Sequence, residues 1–153
     1  KDITTLLKNP QALQETIDRL NTYATEQEVD VIVGVESRGF ILGMPMAYHL
    51  GYGFVPVRKP DKLPAEKISE SYDLEYGSAT LEMHLNAISP GQKIVIVDDL
   101  LATGGTVKAT ADLCRKQGAD ILGCAFLVEL SFLNGRQVLG DTPVFCPLQV
   151  DGE

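Results

Sequence analysis

Residues 95–106, VIVDDLLATGGT, decide the fold class of this 153-residue chain. Together with Lys93 and Ile94 they open as an apolar, β-branched run typical of a buried parallel strand, which we expect to end at Val97. Two carboxylates follow, then a small loop rich in glycine and hydroxyl groups, and then a helix predicted over residues 105–117. Ligands of open parallel sheets bind where the strands end, so the sequence predicts a binding site here.

Outward from this stretch, short apolar runs alternate with amphipathic stretches. Strands are predicted at residues 30–35, 54–57, 121–130 and 144–150. Helices are predicted after the cap-like Asn9-Pro10 pair and over residues 39–50. This alternation is typical of an α/β domain with a central, mostly parallel sheet flanked by helices. We expect one domain over residues 1–153, with an exposed, mobile loop at 58–71 and a β-hairpin at 72–85.

Composition excludes several classes of function. A formal net charge of -8 argues against general nucleic-acid binding, and no apolar run reaches the ~20 residues that a membrane span needs. The three cysteines are an odd number without CxxC spacing, so they are interpreted as small buried hydrophobes in a reducing compartment. We therefore expect a cytoplasmic protein that contacts neither nucleic acid nor membrane.

The residue types of the central motif fit a phosphorylated sugar. Gly104 and Gly105 let backbone N–H groups approach an anion, Thr103 and Thr106 add hydroxyl donors, and the following helix N-terminus favours a phosphate. Asp98 and Asp99 would repel that phosphate and suit sugar hydroxyls or a divalent cation instead. The motif predicts a ribose 5-phosphate site; a purely structural strand–turn–helix with surface aspartates is the alternative.

The full order of the twelve residues resembles the phosphoribosyl pyrophosphate motif of the type I phosphoribosyltransferases. Four more segments resemble the adenine phosphoribosyltransferases: ESRGF at 36–40, RKPDKLP at 58–64, SYDLEYG at 71–77 and VELSFLNGR at 128–136. The resemblance covers nearly the whole chain. It implies the type I phosphoribosyltransferase fold with a flexible β-hairpin lid, and a purine-salvage reaction in which adenine and phosphoribosyl pyrophosphate give AMP and pyrophosphate.

The resemblance also assigns roles to residues. It implies ribose 5-phosphate binding by Asp98, Asp99, Ala102, Thr103, Gly104, Gly105 and Thr106. It implies pyrophosphate binding by Glu36, Ser37, Arg38, Arg58, Lys59 and Lys62, with a non-proline cis peptide near Glu36-Ser37. Glu75 is implied as the catalytic acid/base near N7 of adenine, with Tyr76 closing the site and Arg38 stabilising the leaving group. Mg²⁺ is expected to be held mainly by the substrate, with Asp98 and Asp99 as its candidate protein ligands.

Base recognition and assembly are further expectations. Phe40 and Leu100 either flank the flat base or pack in the core. Relatives carry a base-binding segment rich in proline and glycine before a (K/R)DI sequence. This chain begins Lys1-Asp2-Ile3, so we expect that segment to be truncated, with Lys1 near the base. A homodimer is expected, in which Arg58 or Lys59 reaches the neighbouring site.

Two other functions stay open from the sequence. A phosphoribosyltransferase for hypoxanthine, guanine or xanthine would share the ribose-phosphate motif. A regulator that senses phosphoribosyl pyrophosphate without catalysis would keep the fold, but it would normally carry a basic DNA-binding module.

Overall fold

The computed structural model describes residues 3–74 and 76–152. Its strands are β1 (Val31–Val35), β2 (Gly53–Val57), β3 (Lys67–Asp73), β4 (Ser78–His84), β5 (Lys93–Leu101), β6 (Asp120–Leu130), β7 (Val144–Phe145) and β8 (Leu148–Val150). Its α-helices are α1 (Thr4–Lys8), α2 (Pro10–Thr25), α3 (Arg38–Leu50) and α4 (Gly105–Lys116). As the sequence predicts, Asn9 caps α2, because its side chain accepts hydrogen bonds from the N–H groups of Gln11 and Ala12.

Six strands form one parallel sheet. Their order is β2-β1-β5-β6-β7. Strand β7 pairs with Cys124 and Ala125 of β6, and β8 pairs with β6 farther along, at residues 128–130. Every pairing in this sheet is parallel, which confirms the predicted fold class. None of the helices in the described ranges is long and apolar enough to cross a membrane.

Strand β5 organises the core because both of its faces are covered. Side chains alternate across a strand, so Ile94 and Ile96 pack into one apolar cluster while Val95 and Val97 pack into another. The first cluster includes α4 through Val107 and Leu113, and the second includes α2 and α3 through residues such as Leu20 and Leu42. The sheet is therefore the middle of three layers.

The strand order places two carboxyl ends side by side. From β1 the chain passes through α3 to β2 on one side, whereas β5 pairs with β1 on the other side. The loops after β1 and β5 therefore leave from neighbouring points at the same edge, where the connections diverge. Crevices of this kind are where α/β proteins bind ligands.

The prediction for residues 58–71 is partly wrong, because strand β3 already begins at Lys67. Strands β3 and β4 form a separate antiparallel hairpin. In β3 the half-buried Ile68, Glu70 and Tyr72 alternate with exposed residues, and Ile68 and Tyr72 pack against the core cluster that includes α4. Only two of the seven residues are strongly apolar, so the alternation was hard to detect from the sequence.

Two other strand boundaries differ from those predicted. Strand β5 does not end at Val97 but continues to Leu101, because the long strand β6 pairs with it as far as Glu129. The predicted strand at 144–150 is split into β7 and β8. The three cysteines are free thiols, with Cys114 and Cys124 buried and Cys146 half-buried.

Candidate active site

Two adjoining cavities open at the edge where β1 and β5 end. The first, of about 550 Å³, extends toward the loop after β1, and the second, of about 610 Å³, extends toward the loop after β5. Both are within the usual size range of small-molecule sites. The residues that line both cavities are Arg38, Tyr72, Asp98, Asp99 and Thr106. A ligand with two anionic ends could therefore span the pair.

The shared wall carries two adjacent carboxylates. Asp99 is buried, and its Oδ2 lies 2.9 Å from Nε of Arg38. This is an ion pair by distance without the alignment of a hydrogen bond, so Oδ2 has no hydrogen-bond partner within the described residues. Asp98 Oδ1 accepts the backbone N–H of Asp99 at 2.8 Å. Burial, and next the neighbouring carboxyl of Asp99, raise the pKa of Asp98 well above its usual range.

The loop after β5 forms the anion side of the second cavity. Gly104 has a φ of +93°, a left-handed conformation that side chains disfavour, and α4 begins at the next residue. Residues 102–106 all line this cavity. The loop therefore presents its small residues and the positive end of α4 to the same space.

Tyr72 was not assigned a role from the sequence, although it lies in the SYDLEYG segment. Its hydroxyl accepts a hydrogen bond from Thr106 Oγ1 at 3.2 Å. This contact joins the hairpin to the first turn of α4, beside the predicted phosphate loop. Because Tyr72 lies 34 residues before Thr106 in the sequence, no local sequence pattern predicts this pairing.

The loop after β1 is fixed by ionic contacts. The Glu36-Ser37 peptide is cis, as the resemblance implied. Glu36 Oε1 accepts hydrogen bonds from Arg58 Nε and from the backbone N–H of Lys59, both at 3.0 Å. The carboxylate of Glu36 therefore faces these donors, and any contact of Glu36 with an anion would come from its backbone.

Glu82 of strand β4 is a buried carboxylate for which the sequence predicted no role. Its Oε1 accepts the N–H of Asp61 at 2.9 Å, and its backbone exchanges hydrogen bonds with Arg58. Glu36 and Glu82 together hold the start of the loop that carries the predicted cations. Lys59 and Pro60 of this loop line the first cavity.

The remaining predicted residues fall into four groups. Ser37 lines the first cavity and Leu100 the second. Lys62 and Phe40 are not among the described residues that line either cavity; the ring of Phe40 contacts that of Phe54 edge-on, 5.7 Å away. Tyr76 is 87% exposed near the hairpin turn. Lys1 and Glu75 lie outside the described residues.

The carboxylates of the site fit a metal ion that takes most of its ligands from water and substrate. Within residues 3–74 and 76–152, no group of three His, Cys, Asp or Glu side chains could hold a metal ion. Asp98 and Asp99 offer only two adjacent carboxylates, one with a buried oxygen that lacks a hydrogen-bond partner. Mg²⁺ commonly binds through one or two carboxylates together with water and substrate phosphates, so these residues suit that ion.

Comparisons with known proteins agree on one family. Residues 2–142 match the phosphoribosyl transferase domain family. An adenine phosphoribosyltransferase of Desulfitobacterium hafniense is 59% identical over 145 residues, which cover 95% of this chain and 84% of that protein.

Solved structures give the same result. The adenine phosphoribosyltransferase of Thermoanaerobacter pseudethanolicus is 47% identical with a TM-score of 0.95, covering 98% of this chain and 87% of that one. The enzyme of Saccharomyces cerevisiae, complexed with adenine and an imino-altritol bisphosphate, is 44% identical with a TM-score of 0.88. That match covers 95% of this chain and 84% of the yeast chain.

The Glu36 contacts generate a pH-dependent prediction. Burial would raise the pKa of Glu36, but the N–H of Lys59 and the guanidinium of Arg58 outweigh it, so the pKa is lowered. A lowered carboxyl pKa adds stability that is present above the unfolded value, about 4.3, and is lost as pH falls through the folded value. We expect Glu36→Gln to lower the free energy of unfolding by about 1 kcal/mol at pH 7, with the difference from the unmodified protein shrinking below about pH 4.

Urea denaturation from pH 7 to pH 3 measures this difference. The matched control is Glu66→Gln, which neutralises an exposed glutamate in the loop before β3 and should change stability little. A loss in Glu36→Gln that stays constant over the whole pH range would show that the carboxylate does not act through its charge.

Proposed function

This chain belongs to the adenine phosphoribosyltransferases, within the phosphoribosyl transferase domain family, and from that we propose that it joins adenine to phosphoribosyl pyrophosphate, releasing AMP and pyrophosphate. One observation carries the proposal. Two cavities meet at Asp98, Asp99 and Arg38, with the glycine-rich loop after β5 on one side and Ser37 and Lys59 on the other. Phosphoribosyl pyrophosphate has this layout, because a phosphate and a diphosphate flank its sugar diol.

We place the ribose 5-phosphate in the second cavity. The backbone N–H groups of residues 102–106 and the hydroxyls of Thr103 and Thr106 would surround the phosphate, at the positive end of α4. Asp98 and Asp99 would then accept hydrogen bonds from the ribose hydroxyls. Their negative charge also suits the positive charge that develops on the sugar as the leaving group departs.

We place the pyrophosphate in the first cavity, against Ser37, Arg38 and Lys59. Arg38 and Lys59 would stabilise the charge of the leaving diphosphate, and charged donors bind such oxygens more strongly than neutral ones. Arg58 is held by Glu36, so we assign it mainly to orienting Lys59. Bound with the substrate and near Asp98 and Asp99, Mg²⁺ would supply charge neutralisation at the diphosphate.

We assign proton transfer at the base to Glu75. Adenine N9 attacks C1′ of the ribose as the C1′–O bond to pyrophosphate breaks, and the carboxylate of Glu75 accepts the proton that the base releases near N7. This role follows from the LEYG motif of the resembled family. Tyr76, exposed near the turn of the β3–β4 hairpin, would close over the site and help to exclude water, which would otherwise hydrolyse the activated sugar. Leu100, which lines the second cavity, would contact the base.

We also propose that the protein is a homodimer. Three large apolar side chains are exposed at helical spacing on α3: Ile41 (46%), Met44 (50%) and Tyr48 (88%). A contiguous apolar stripe of this kind commonly marks a protein contact, and α3 starts at Arg38 beside the first cavity. A second copy packed here would lie next to the site. Lys59 is then the cation better placed to reach the neighbour, since Arg58 is engaged within its own chain.

The reaction is tested by product identity. The protein is incubated with phosphoribosyl pyrophosphate, Mg²⁺ and one of adenine, hypoxanthine, guanine or xanthine, and the nucleotide is identified by mass spectrometry. We expect AMP from adenine, none of the other nucleotides, and little turnover once Mg²⁺ is chelated. Formation of another nucleotide would change the assigned base, and no product from any base would leave a binding protein.

Removal of the Glu75 carboxylate should separate chemistry from binding. We expect Glu75→Gln to lower kcat on the order of 10²-fold or more, the usual contribution of general acid–base catalysis, with little change in KM for phosphoribosyl pyrophosphate. Glu66→Gln, in the loop that precedes the hairpin, serves as the control and should keep full kcat. Unchanged turnover in Glu75→Gln would remove this residue from catalysis.

The assembly is tested by measuring molar mass in solution. Light scattering after size-exclusion chromatography should give twice the mass of one chain. We expect Tyr48→Glu to give the mass of a monomer, because it places a charge in the apolar stripe. Leu148→Glu, at another exposed apolar residue (46%), is the control that should stay dimeric. If the Tyr48→Glu protein remains dimeric, the dimer interface does not lie on the exposed face of α3.

A further inference from the structure

The phosphate loop has an outer wall that the proposed reaction does not use. After β6 the chain makes two 3₁₀ turns, Ser131–Leu133 and Gly135–Leu139, joined at Asn134 in a left-handed conformation (φ 56°). We call residues 131–139 the buttress. It packs against residues 101–104, and none of its residues lines the second cavity.

Backbone meets backbone where the buttress touches the loop. A side chain on Gly104 would have its Cβ 2.7 Å from the carbonyl oxygen of Gly135 and would clash with Val138. In the other direction, a Cβ on Gly135 would clash with the carbonyl oxygen of Ala102 and come within 3.0 Å of Leu101. Two glycines thus face each other across a contact that tolerates no added atom. A small shift of the buttress must therefore move the loop or open a gap behind it.

An ion pair between a buried carboxylate and a partly exposed arginine holds the buttress in place. Glu129, at the end of β6, has a side chain only 4% exposed. Its two oxygens accept hydrogen bonds from Arg136 Nε at 3.0 and 2.9 Å, and Arg136 Nη2 lies 2.8 Å from Oε1. Gln149 of β8 adds a donor at 3.3 Å. The forked geometry fixes orientation as well as distance, and Arg136 is the residue next to Gly135.

We propose that the Glu129–Arg136 pair is a positioning device for the phosphate loop. By fixing Arg136 it presses Gly135 against residues 102–104, and it thereby sets the spacing of the N–H groups and hydroxyls that bind the 5-phosphate. Neither side chain is among the residues lining the two cavities, so the pair acts through the backbone contact. This inference rests on the proposed function, because it needs the phosphate to bind at residues 102–106.

Three variants test the device. Arg136→Gln removes the charge that pairs with Glu129, whereas Gly135→Ala keeps the pair intact and forces the loop to move. Thr103→Ala combined with Thr106→Ala removes phosphate donors directly and so tests the proposed site itself. Arg19→Gln is the control, since it breaks an exposed arginine–glutamate pair on α2. For each protein we measure the Kd of AMP, the separate KM values of phosphoribosyl pyrophosphate and adenine, and the melting temperature.

If the phosphate loop is displaced, the KM of phosphoribosyl pyrophosphate should rise while the KM of adenine changes little. Arg136→Gln and Gly135→Ala should each raise the Kd of AMP and the KM of phosphoribosyl pyrophosphate about 10- to 100-fold, the loss expected when one hydrogen bond to a charged group is broken. The KM of adenine should change less than about threefold, because the base does not contact this loop. A pair that only stabilised the fold would lower the melting temperature without separating the two KM values.

The outcomes decide between the inference and the proposed function. If the double threonine variant loses AMP affinity while Arg136→Gln and Gly135→Ala keep it, the positioning role is overturned and the phosphate site stands. If the threonine variant binds AMP normally, the phosphate lies elsewhere and the proposed site fails. If Arg136→Gln does not fold, Arg136→Lys takes its place, because it keeps a positive charge opposite Glu129 but loses the forked geometry: the split in KM supports the role, and its absence overturns it.

Discussion

Two acids packed side by side at the sheet edge are the constraint on which the rest of the site depends. Like charges in a partly dry environment are costly, and the structure offsets this with Arg38 beside Asp99 and with a raised pKa at Asp98. Arg38 comes from the start of α3 and the acids from β5. They can meet only because β1 and β5 are neighbours whose following segments emerge at one edge. The contact between Arg38 and Asp99 thus requires that β1 and β5 are neighbours in the sheet.

The surrounding layers keep that edge rigid. β5 is covered on both faces by separate apolar clusters, so the acids stand on a strand that cannot easily move. Three glutamates then fix the loops around them: Glu36 and Glu82 hold the segment after β2, and Glu129 holds the buttress. Each of these acids accepts N–H donors from a loop that must be positioned. In this acidic chain, some of the negative charges therefore stabilise the positions of the loops around the site.

Local patterns predicted much of this fold. The apolar runs of β1 and β5 and the Asn9 cap depend on neighbouring residues, so they could be recognised in the sequence, and the motif at 95–106 located the site edge. The continuation of β5 to Leu101 and the early start of β3 depend on partner strands or on α4, which no local pattern reveals. The same holds for Glu36 with Arg58 and for Tyr72 with Thr106, whose partners lie 22 and 34 residues apart. The family resemblance supplied candidate residues, but the partners of Glu36, Arg38 and Arg58 emerged only from the structure.

Within the described ranges, the hairpin of β3 and β4 shares no strand ladder with the parallel sheet, and the bridge between Arg58 and Glu82 joins its backbone to the segment after β2. That bridge lies near the end of the hairpin opposite its turn. Closer to the turn, side chains of β3 hold the hairpin to α4, because Tyr72 accepts the hydrogen bond from Thr106 and Glu70 pairs with Lys116. Swinging the turn outward would therefore break these side-chain contacts and the packing of Tyr72, but it would leave every hydrogen bond of the parallel sheet intact. Substrate entry and product departure therefore need not disturb the sheet that carries the two acids.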